Sequence, residues 1–204
     1  MSETFEDFIY INDNVLDENS CKEITENITK SDIMKNNNSY LGGHDADISS
    51  FDNRLHIKDD FSFVFHTHFL IENHWRVIYK IVKDGYEKYL SKWFNVVEEK
   101  NSAYCPVMKY HIVQQHQGYH GWHYEWAGAE YPANNIVLVW HLSLTSHKNE
   151  GELEFKYYDK RIEPKAGRLL VWPGGFTHTH RGNVIRSDTQ KHYITGWWFA
   201  GNKR

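Results

Sequence analysis

The chain has 204 residues, and its 40% hydrophobic and 16% aromatic content exceeds what a disordered segment carries. A formal charge of −4 at pH 7 excludes a global basic surface for duplex nucleic acid or a membrane. Only two cysteines are present, Cys21 and Cys105, which excludes a disulfide scaffold and zinc sites built on three or four thiolates.

Neither the N-terminal residues nor the middle of the chain shows the pattern expected of a signal peptide or a linker. The acidic N-terminus lacks the order of a signal peptide, and no stretch approaches about 18 uninterrupted apolar residues. With so few cysteines, we expect a soluble protein of the reducing cytoplasm. No Pro, Gly or Ser tract, repeat or run of like charge interrupts residues 1–204. We therefore expect one domain, in which residues 1–103 support a core formed by residues 104–204.

The N-terminal half predicts a strand and two helices. The strand covers residues 8–11, and a helix follows to residue 30 because Ser20 and Glu23 form a capping-box pattern. A second helix is predicted over residues 70–93. Its apolar residues recur at steps of three, four or seven, and lysines occupy the other face. The apolar positions are Ile71, Trp75, Ile78, Val82 and Tyr89, and the lysines are Lys80, Lys83 and Lys88.

The segment between these helices is polar and contains glycine. We expect residues 36–53 to form a long loop or a lid. The sequence His44-Asp45-Ala46-Asp47 lies inside it and is interpreted as a solvated loop rather than a metal motif.

From residue 104 onward the sequence changes to short β-rich runs separated by turns. Such runs without intervening helices predict a sandwich or a barrel. The stretch 136–144 is apolar at nearly every position, which predicts a strand buried on both faces. His141 interrupts this stretch and is interpreted as a satisfied buried or edge histidine rather than a ligand. The runs are YCPVMKYHIVQQ, GYHGWHYEW, NIVLVWHLSL, GELEFKYY, GRLLVWP and HYITGWWFA.

Fourteen histidines invite a search for metal-ligand spacing. In the strand-like run around WHYE, a period of two places His123 and Glu125 on one face. His180 follows Glu125 by 55 residues, and His178 shares its predicted strand face. Two histidines and one carboxylate form the facial triad of non-haem Fe(II) oxygenases, which leaves positions open on the metal. Zinc also accepts this ligand set, so a zinc hydrolase stays open at this point.

The last predicted strand carries a cation among apolar residues. If Lys191 points inward, period two turns Tyr193, Thr195 and Trp197 inward as well. A buried lysine is unfavourable unless it meets an anion. Neither a zinc hydrolase nor a non-catalytic jelly-roll binding module gives a reason for such a lysine.

Taken together, these motifs resemble the 2-oxoglutarate and Fe(II)-dependent oxygenases, in their prolyl 4-hydroxylase-like branch. WHYE, GELEF, GRLLVWP, THTHRG and K-x-Y-x-T-x-W occur in the order of small bacterial and phage members, over residues 104–200. The resemblance implies an α+β, mainly β fold. Its core would be a double-stranded β-helix, a cupin-like jelly roll, with N-terminal supporting helices.

The resemblance also implies site residues. His123, Glu125 and His180 would bind Fe(II), and Lys191 would pair with the distal carboxylate of 2-oxoglutarate. His180 is preferred over His178 because the run HRGNV matches the segment that follows the distal ligand in the family. The offset of 11 residues from His180 to Lys191 is also nearer the usual one than 13.

The rest of the cosubstrate pocket is expected from neighbouring strands. Tyr110 and Thr195 are the candidates that would complete the carboxylate pocket in this resemblance. Most relatives have Asp where this chain has Glu125, which keeps the charge and changes the reach. A retained carboxylate argues against halogenation.

The implied reaction is hydroxylation of an unactivated C–H bond. It consumes O₂ and 2-oxoglutarate, releases succinate and CO₂, and has ascorbate as a candidate reductant. Prolyl hydroxylation of a protein or peptide is the leading hypothesis by analogy. A free amino acid, a nucleobase or another small metabolite stays open as substrate, and so does the oligomeric state.

Overall fold

The computed structural model describes residues 3–30, 58, 60–66, 73–93, 103–125 and 135–200. It begins with a hairpin of strand β1 (Glu3–Glu6) and strand β2 (Ile9–Asn12). Asp7 and Phe8 form the turn at positive φ values of 52° and 57°. The predicted strand at residues 8–11 is therefore one arm of a hairpin.

Helix α1 (Glu18–Lys30) starts earlier than the capping-box pattern predicts. The cap is Asp17, whose Oδ1 accepts a hydrogen bond from the Ser20 backbone N–H at 2.8 Å. The Ser20 hydroxyl donates to the other carboxylate oxygen at 3.0 Å. The prediction of Ser20 as cap is wrong because the helix begins three residues earlier, where the Asp17 carboxylate accepts a hydrogen bond from a backbone N–H of the first turn.

Helix α2 (Asn73–Lys92) follows strand β3 (Phe61–His66). Trp75, Ile78, Val82 and Tyr89 are buried, as the periodicity predicts. The three lysines on the opposite face are exposed. Ile71, the loop 36–53 and the sequence His44-Asp45-Ala46-Asp47 lie outside the described residues. None of the described helices is long and apolar enough to cross a membrane.

Five of the remaining strands overlap the predicted β-rich runs, and two short strands, at 160–162 and 180–182, lie outside them. A 3₁₀ turn (Phe176–His178) separates two of them. They are β4 (Val107–Val113), β5 (Ile136–Ser143), β6 (Leu153–Phe155), β7 (Lys160–Ile162), β8 (Leu169–Pro173), β9 (His180–Gly182) and β10 (Lys191–Phe199).

Within the described residues the strands form two antiparallel sheets. The larger has the order β1-β2-β8-β5-β10-β4-β3, and the smaller has the order β7-β6-β9. This is the mainly β jelly-roll architecture that the resemblance implies. One difference concerns the GYHGWHYEW run, which forms no continuous strand. There His123 makes an isolated bridge to His180.

Two hydrophobic clusters fix the layers of the fold. The first contains Cys21 and Ile24 of α1, Ile78 of α2, and Trp140 and Ile194 of the large sheet, so the helices cover one face of that sheet. The second cluster fills the space between the sheets, with Phe155 of the small sheet meeting Trp172 of the large one. Polar side chains interrupt this second layer and form the candidate site.

Candidate active site

Three side chains that are far apart in sequence converge between the sheets. His123, Glu125 and His180 each offer one ligand atom, and these atoms all lie within 4.8 Å of one another. Backbone hydrogen bonds hold the segments in place. His123 and His180 exchange N–H···O bonds of 3.0 and 2.9 Å, and the Glu125 N–H donates to the Gly174 carbonyl at 3.0 Å.

Both imidazoles are held in the tautomer that binds a metal. His123 Nδ1 lies 3.0 Å from the Gly121 carbonyl oxygen, and His180 Nδ1 lies 2.9 Å from that of His178. A carbonyl accepts only, so Nδ1 carries the proton and Nε2 keeps its lone pair. Burial lowers the pKa of His123 to about 4. Burial and the neighbouring His123 lower the pKa of His180 to about 3. Both rings are therefore neutral at pH 7, the form that ligates metals.

Glu125 supplies a largely buried carboxylate beside these nitrogens, with its side chain 16% exposed. Its Oε1 lies 3.8 Å from His180 Nε2, and its Oε2 accepts a 2.7 Å hydrogen bond from the Trp197 indole. Burial raises the pKa of Glu125, and the Trp197 hydrogen bond opposes this only in part. Two imidazole nitrogens and one carboxylate suit Fe(II) in donor type and number. A divalent ion would also compensate the buried negative charge.

We predict that Glu125→Gln stabilises the metal-free protein while abolishing stabilisation by added divalent ions. A carboxyl with a raised folded-state pKa contributes stability at low pH and loses it as the pH rises through that pKa. The amide has no such loss and can keep the Trp197 hydrogen bond. Thermal unfolding in chelator should therefore give a higher melting temperature for the variant than for the wild type, and this difference should widen from pH 4 to pH 7. A lower melting temperature for the variant would show that the charge of Glu125 is stabilising without metal.

His178 is directed away from this centre. It sits in the 3₁₀ turn, where its Nε2 donates to the Asp7 carbonyl at 2.9 Å and Thr177 Oγ1 lies 3.0 Å from Nδ1. Both ring nitrogens are thus occupied, and the ring ties the turn to the β1–β2 hairpin. The expectation that His178 and His180 share a strand face is wrong, because β9 starts only at His180.

Lys191 lines a cavity together with His123, Glu125 and His180, and it is 5% exposed. Its Nζ donates to the Gly151 carbonyl at 2.7 Å and lies 4.8 Å from the Tyr193 ring centroid. No carboxylate of the described residues lies within 4 Å of this ammonium. Burial lowers the pKa of Lys191 to about 8. An incoming carboxylate would stabilise the charged form.

The Gly151 loop is shaped around that lysine. Gly151 has a positive φ of 64°, and a Cβ there would overlap the Ile185 side chain and approach Lys191. Glycine therefore lets the backbone carbonyl reach the ammonium.

The cavity has a volume of about 230 Å³ and opens between the two sheets. Thr195 lines it, but Tyr110 does not. On β4 the side chains alternate, so Lys109 and His111 face the cavity while Tyr110 faces the helices. The Tyr110 hydroxyl is 2.7 Å from His192 Nδ1 on that other side. The prediction of Tyr110 as a cosubstrate contact is wrong.

Several cavity residues were not anticipated from the sequence. His141 is one of them: its ring stacks on Tyr193 with centroids 4.5 Å apart, and no hydrogen bond joins the ring to another of the described residues. The sequence pattern that could have identified His141 is a histidine within an apolar strand. The same pattern occurs at His111. No motif marks the segment before β3. The additional lining residues are Lys58, Lys109, His111, Tyr119 and His141.

Arg181 and Trp122 lie together beside the centre. The Arg181 Nε donates to Glu154 Oε2 at 2.8 Å, and its guanidinium carbon is 4.4 Å from the Trp122 ring centroid. Trp122 is 37% exposed. Lys156 Nζ lies 5.7 Å from the Trp122 ring and 5.9 Å from the Tyr157 ring, so this surface combines exposed aromatic and cationic groups.

Comparison with known proteins agrees with this geometry. Residues 107–199 match the model of the 2OG-Fe(II) oxygenase superfamily, where 2OG is 2-oxoglutarate. No curated protein sequence matches the chain.

Solved structures share the fold. A viral collagen prolyl hydroxylase from Paramecium Bursaria Chlorella virus-1, in complex with 2OG, has a TM-score of 0.67 at 13% identity, over 96% of this chain and 97% of that one. A Pseudomonas putida prolyl-4-hydroxylase has a TM-score of 0.62 at 13% identity, over 94% and 92%. A Trichoplax adhaerens prolyl hydroxylase, bound to a hypoxia inducible factor peptide fragment, has a TM-score of 0.64 at 15% identity, over 96% and 84%.

The superfamily match sets aside the zinc hydrolase and the non-catalytic binding module. It covers the segments that carry both histidines of the centre, Glu125 and Lys191. Residues 107–199 therefore match the 2OG-Fe(II) oxygenase superfamily, and this match supports an oxygenase that uses Fe(II), 2-oxoglutarate and O₂.

Proposed function

We propose that His123, Glu125 and His180 hold the Fe(II), and that Lys191 and Thr195 receive the distal carboxylate of 2-oxoglutarate. The observation that carries this proposal is the placement of two neutral imidazoles, one carboxylate and one buried ammonium in a single cavity. When bound, iron, 2-oxoglutarate and O₂ supply the oxidising chemistry that hydroxylates a C–H bond.

The protein's own residues supply positioning and exclude water. The Nδ1 hydrogen bonds of His123 and His180 fix both rings, so their Nε2 atoms are aimed before a metal arrives. Val139 and Trp172 form apolar parts of the cavity wall. A cosubstrate fixed at both of its ends has one orientation relative to the metal, which favours reaction at one C–H bond.

The pKa of Lys191 predicts how cosubstrate binding depends on pH. Because that pKa is about 8 in the free protein, the ammonium loses its proton as the pH rises above 8. From Lys191 alone we expect no pH dependence near pH 7, and above about pH 8 its deprotonation should add a fall in 2-oxoglutarate affinity that approaches tenfold per pH unit. Equilibrium titration between pH 6.5 and 9.5 tests this. An affinity that rises with pH would contradict it.

We further propose that the substrate is a prolyl residue in a peptide. The structural relatives named as prolyl hydroxylases support this class, and one of them holds a peptide fragment. The exposed rings of Trp122 and Tyr157 also suit it, because extended proline-rich segments bind to aromatic surfaces.

The test measures succinate formation with Fe(II), 2-oxoglutarate and ascorbate, which we propose as the reductant. Proline-containing peptides should increase succinate and gain one oxygen atom by mass, whereas peptides with alanine at that position should not. Oxygen incorporation into a free amino acid or nucleobase, with no response to any prolyl peptide, would overturn the peptide proposal while leaving the oxygenase assignment intact.

We also propose the cytoplasm as the location. Cys21 and Cys105 are both buried and form no disulfide, as expected in a reducing compartment.

A further inference from the structure

Three side chains form a hydrogen-bonded row in the wall of the cavity. Asp60 Oδ2 lies 2.6 Å from His111 Nδ1, and His111 Nε2 lies 3.1 Å from Thr195 Oγ1. They come from the segment before β3, from β4 and from β10. Asp60 is 1% exposed and His111 is 4% exposed. The arrangement of a carboxylate, an imidazole and a hydroxyl defines the direction of each hydrogen bond.

In the free protein the row directs the Thr195 proton away from the cavity. Burial would raise the pKa of Asp60, but His111 and the nearby lysines outweigh it and lower that pKa to about 2. Burial lowers the pKa of His111 to about 4 despite Asp60. At neutral pH an ionised Asp60 therefore accepts from His111 Nδ1–H. Nε2 can then only accept, so Thr195 donates to it and presents oxygen lone pairs to the cavity.

This orientation does not suit a carboxylate, which is itself an acceptor. Thr195 can donate to a cosubstrate carboxylate and keep its hydrogen bond to His111 only if His111 Nε2 carries a proton and donates to Thr195 Oγ1. The imidazolium that results would lie directly against the Asp60 carboxylate, which compensates its charge.

We propose that Asp60 and His111 are positioning residues that turn the Thr195 hydroxyl toward 2-oxoglutarate, with one proton taken up at His111 Nε2 as the cosubstrate binds. The inference rests on the proposed function, since it needs Thr195 to receive the distal carboxylate. The proton comes from solvent, and no other bond forms or breaks.

Other groups around His111 could also change protonation, and the experiment must separate them. Lys191 is already largely protonated at pH 6.5, because its pKa is about 8. Tyr193 stays protonated there, since burial raises its pKa well above 10. His141 is a buried neutral histidine on the other face of the same Tyr193 ring, without an aspartate partner in the described residues. The titratable groups that face His111 or line its cavity are Lys58, Asp60, Lys109, Tyr119, His123, Glu125, His141, His180, Lys191 and Tyr193.

Calorimetry of 2-oxoglutarate binding tests the proposal without turnover. The protein is loaded with Mn(II) and titrated at pH 6.5 in buffers that differ in ionisation enthalpy, which gives the number of protons bound. We expect about one proton in the wild type and in His141→Phe, and close to none in His111→Phe and in the isosteric Thr195→Val. Thr195→Val should also bind about tenfold more weakly.

A conservative variant separates positioning from packing. His111→Gln places a permanent N–H donor toward Thr195, so it should bind 2-oxoglutarate more tightly than His111→Phe and yet take up no proton. Tight wild-type binding without proton uptake, or uptake that survives in Thr195→Val and disappears in His141→Phe, would overturn the inference but not the proposed function. Failure of the Mn(II)-loaded protein to bind 2-oxoglutarate at all would overturn both.

Discussion

The His180→Ala variant is expected to bind no divalent ion at the centre and to lose more than about 100-fold of its 2-oxoglutarate turnover, since even outer partners of metal ligands cost 10–100-fold. The two remaining donors, His123 and Glu125, leave the buried carboxylate without its compensating cation. Cobalt(II) absorption titration gives the metal affinity, and succinate release gives turnover. His123→Ala should behave in the same way.

His178→Ala is the matched control, because it removes an identical side chain two residues earlier. It breaks the 2.9 Å hydrogen bond to the Asp7 carbonyl, so the melting temperature should fall. Metal affinity and turnover should stay within a few fold of the wild type. If the two variants exchanged these properties, the assignment of His180 as the distal ligand would be wrong.

The second large effect is expected for Lys191→Met, which should selectively lose affinity for 2-oxoglutarate. Truncating one partner of a buried charge pair costs about 2–5 kcal/mol, which corresponds to roughly 30-fold or more in affinity. Methionine keeps much of the volume of the side chain, and it removes a charge that is unfavourable in the free protein. We therefore expect stability without ligand to be preserved. Calorimetry and thermal unfolding measure the two effects separately.

Lys109→Met is the control for Lys191→Met, because both lysines line the same cavity. Lys109 lies across from Thr195 in the strand pairing, nearer to the Trp197 end of β10 than Lys191 is. Its substitution should change 2-oxoglutarate affinity by less than about fivefold. A charge that does not contact the ligand directly contributes little to binding where the effective dielectric constant is high. A larger loss in Lys109→Met than in Lys191→Met would place the distal carboxylate at the other end of the cavity.

The proposed metal ligands and Lys191 could be selected from the sequence because each belongs to a short motif whose spacing is local. His123 and Glu125 are two residues apart, and the alternation along β10 correctly placed Lys191 and Thr195 on one face. Tyr110 could not be placed in the same way. Its face depends on which residue of β4 lies opposite β10, and the pairing of Tyr110 with Ile194 is set by long-range packing.

Asp60 illustrates a second limit. It is 51 residues from His111, and only the pairing of β3 with β4 brings them together. His178 illustrates a third limit. If THTHRG is predicted as one continuous strand, His178 and His180 lie on the same face. The 3₁₀ turn at Phe176–His178 reorients His178, and no local pattern distinguishes this turn from an extended strand.

The hydrogen bond from Lys191 to the Gly151 carbonyl affects how the cosubstrate is received. A lysine usually samples many rotamers, and immobilising such a side chain on binding costs about 0.5–1.5 kcal/mol. Here the four-carbon stem is held between Gly151 and the Tyr193 ring before any ligand enters. An arriving acid thus meets a preorganised cation whose conformational freedom has already been lost during folding.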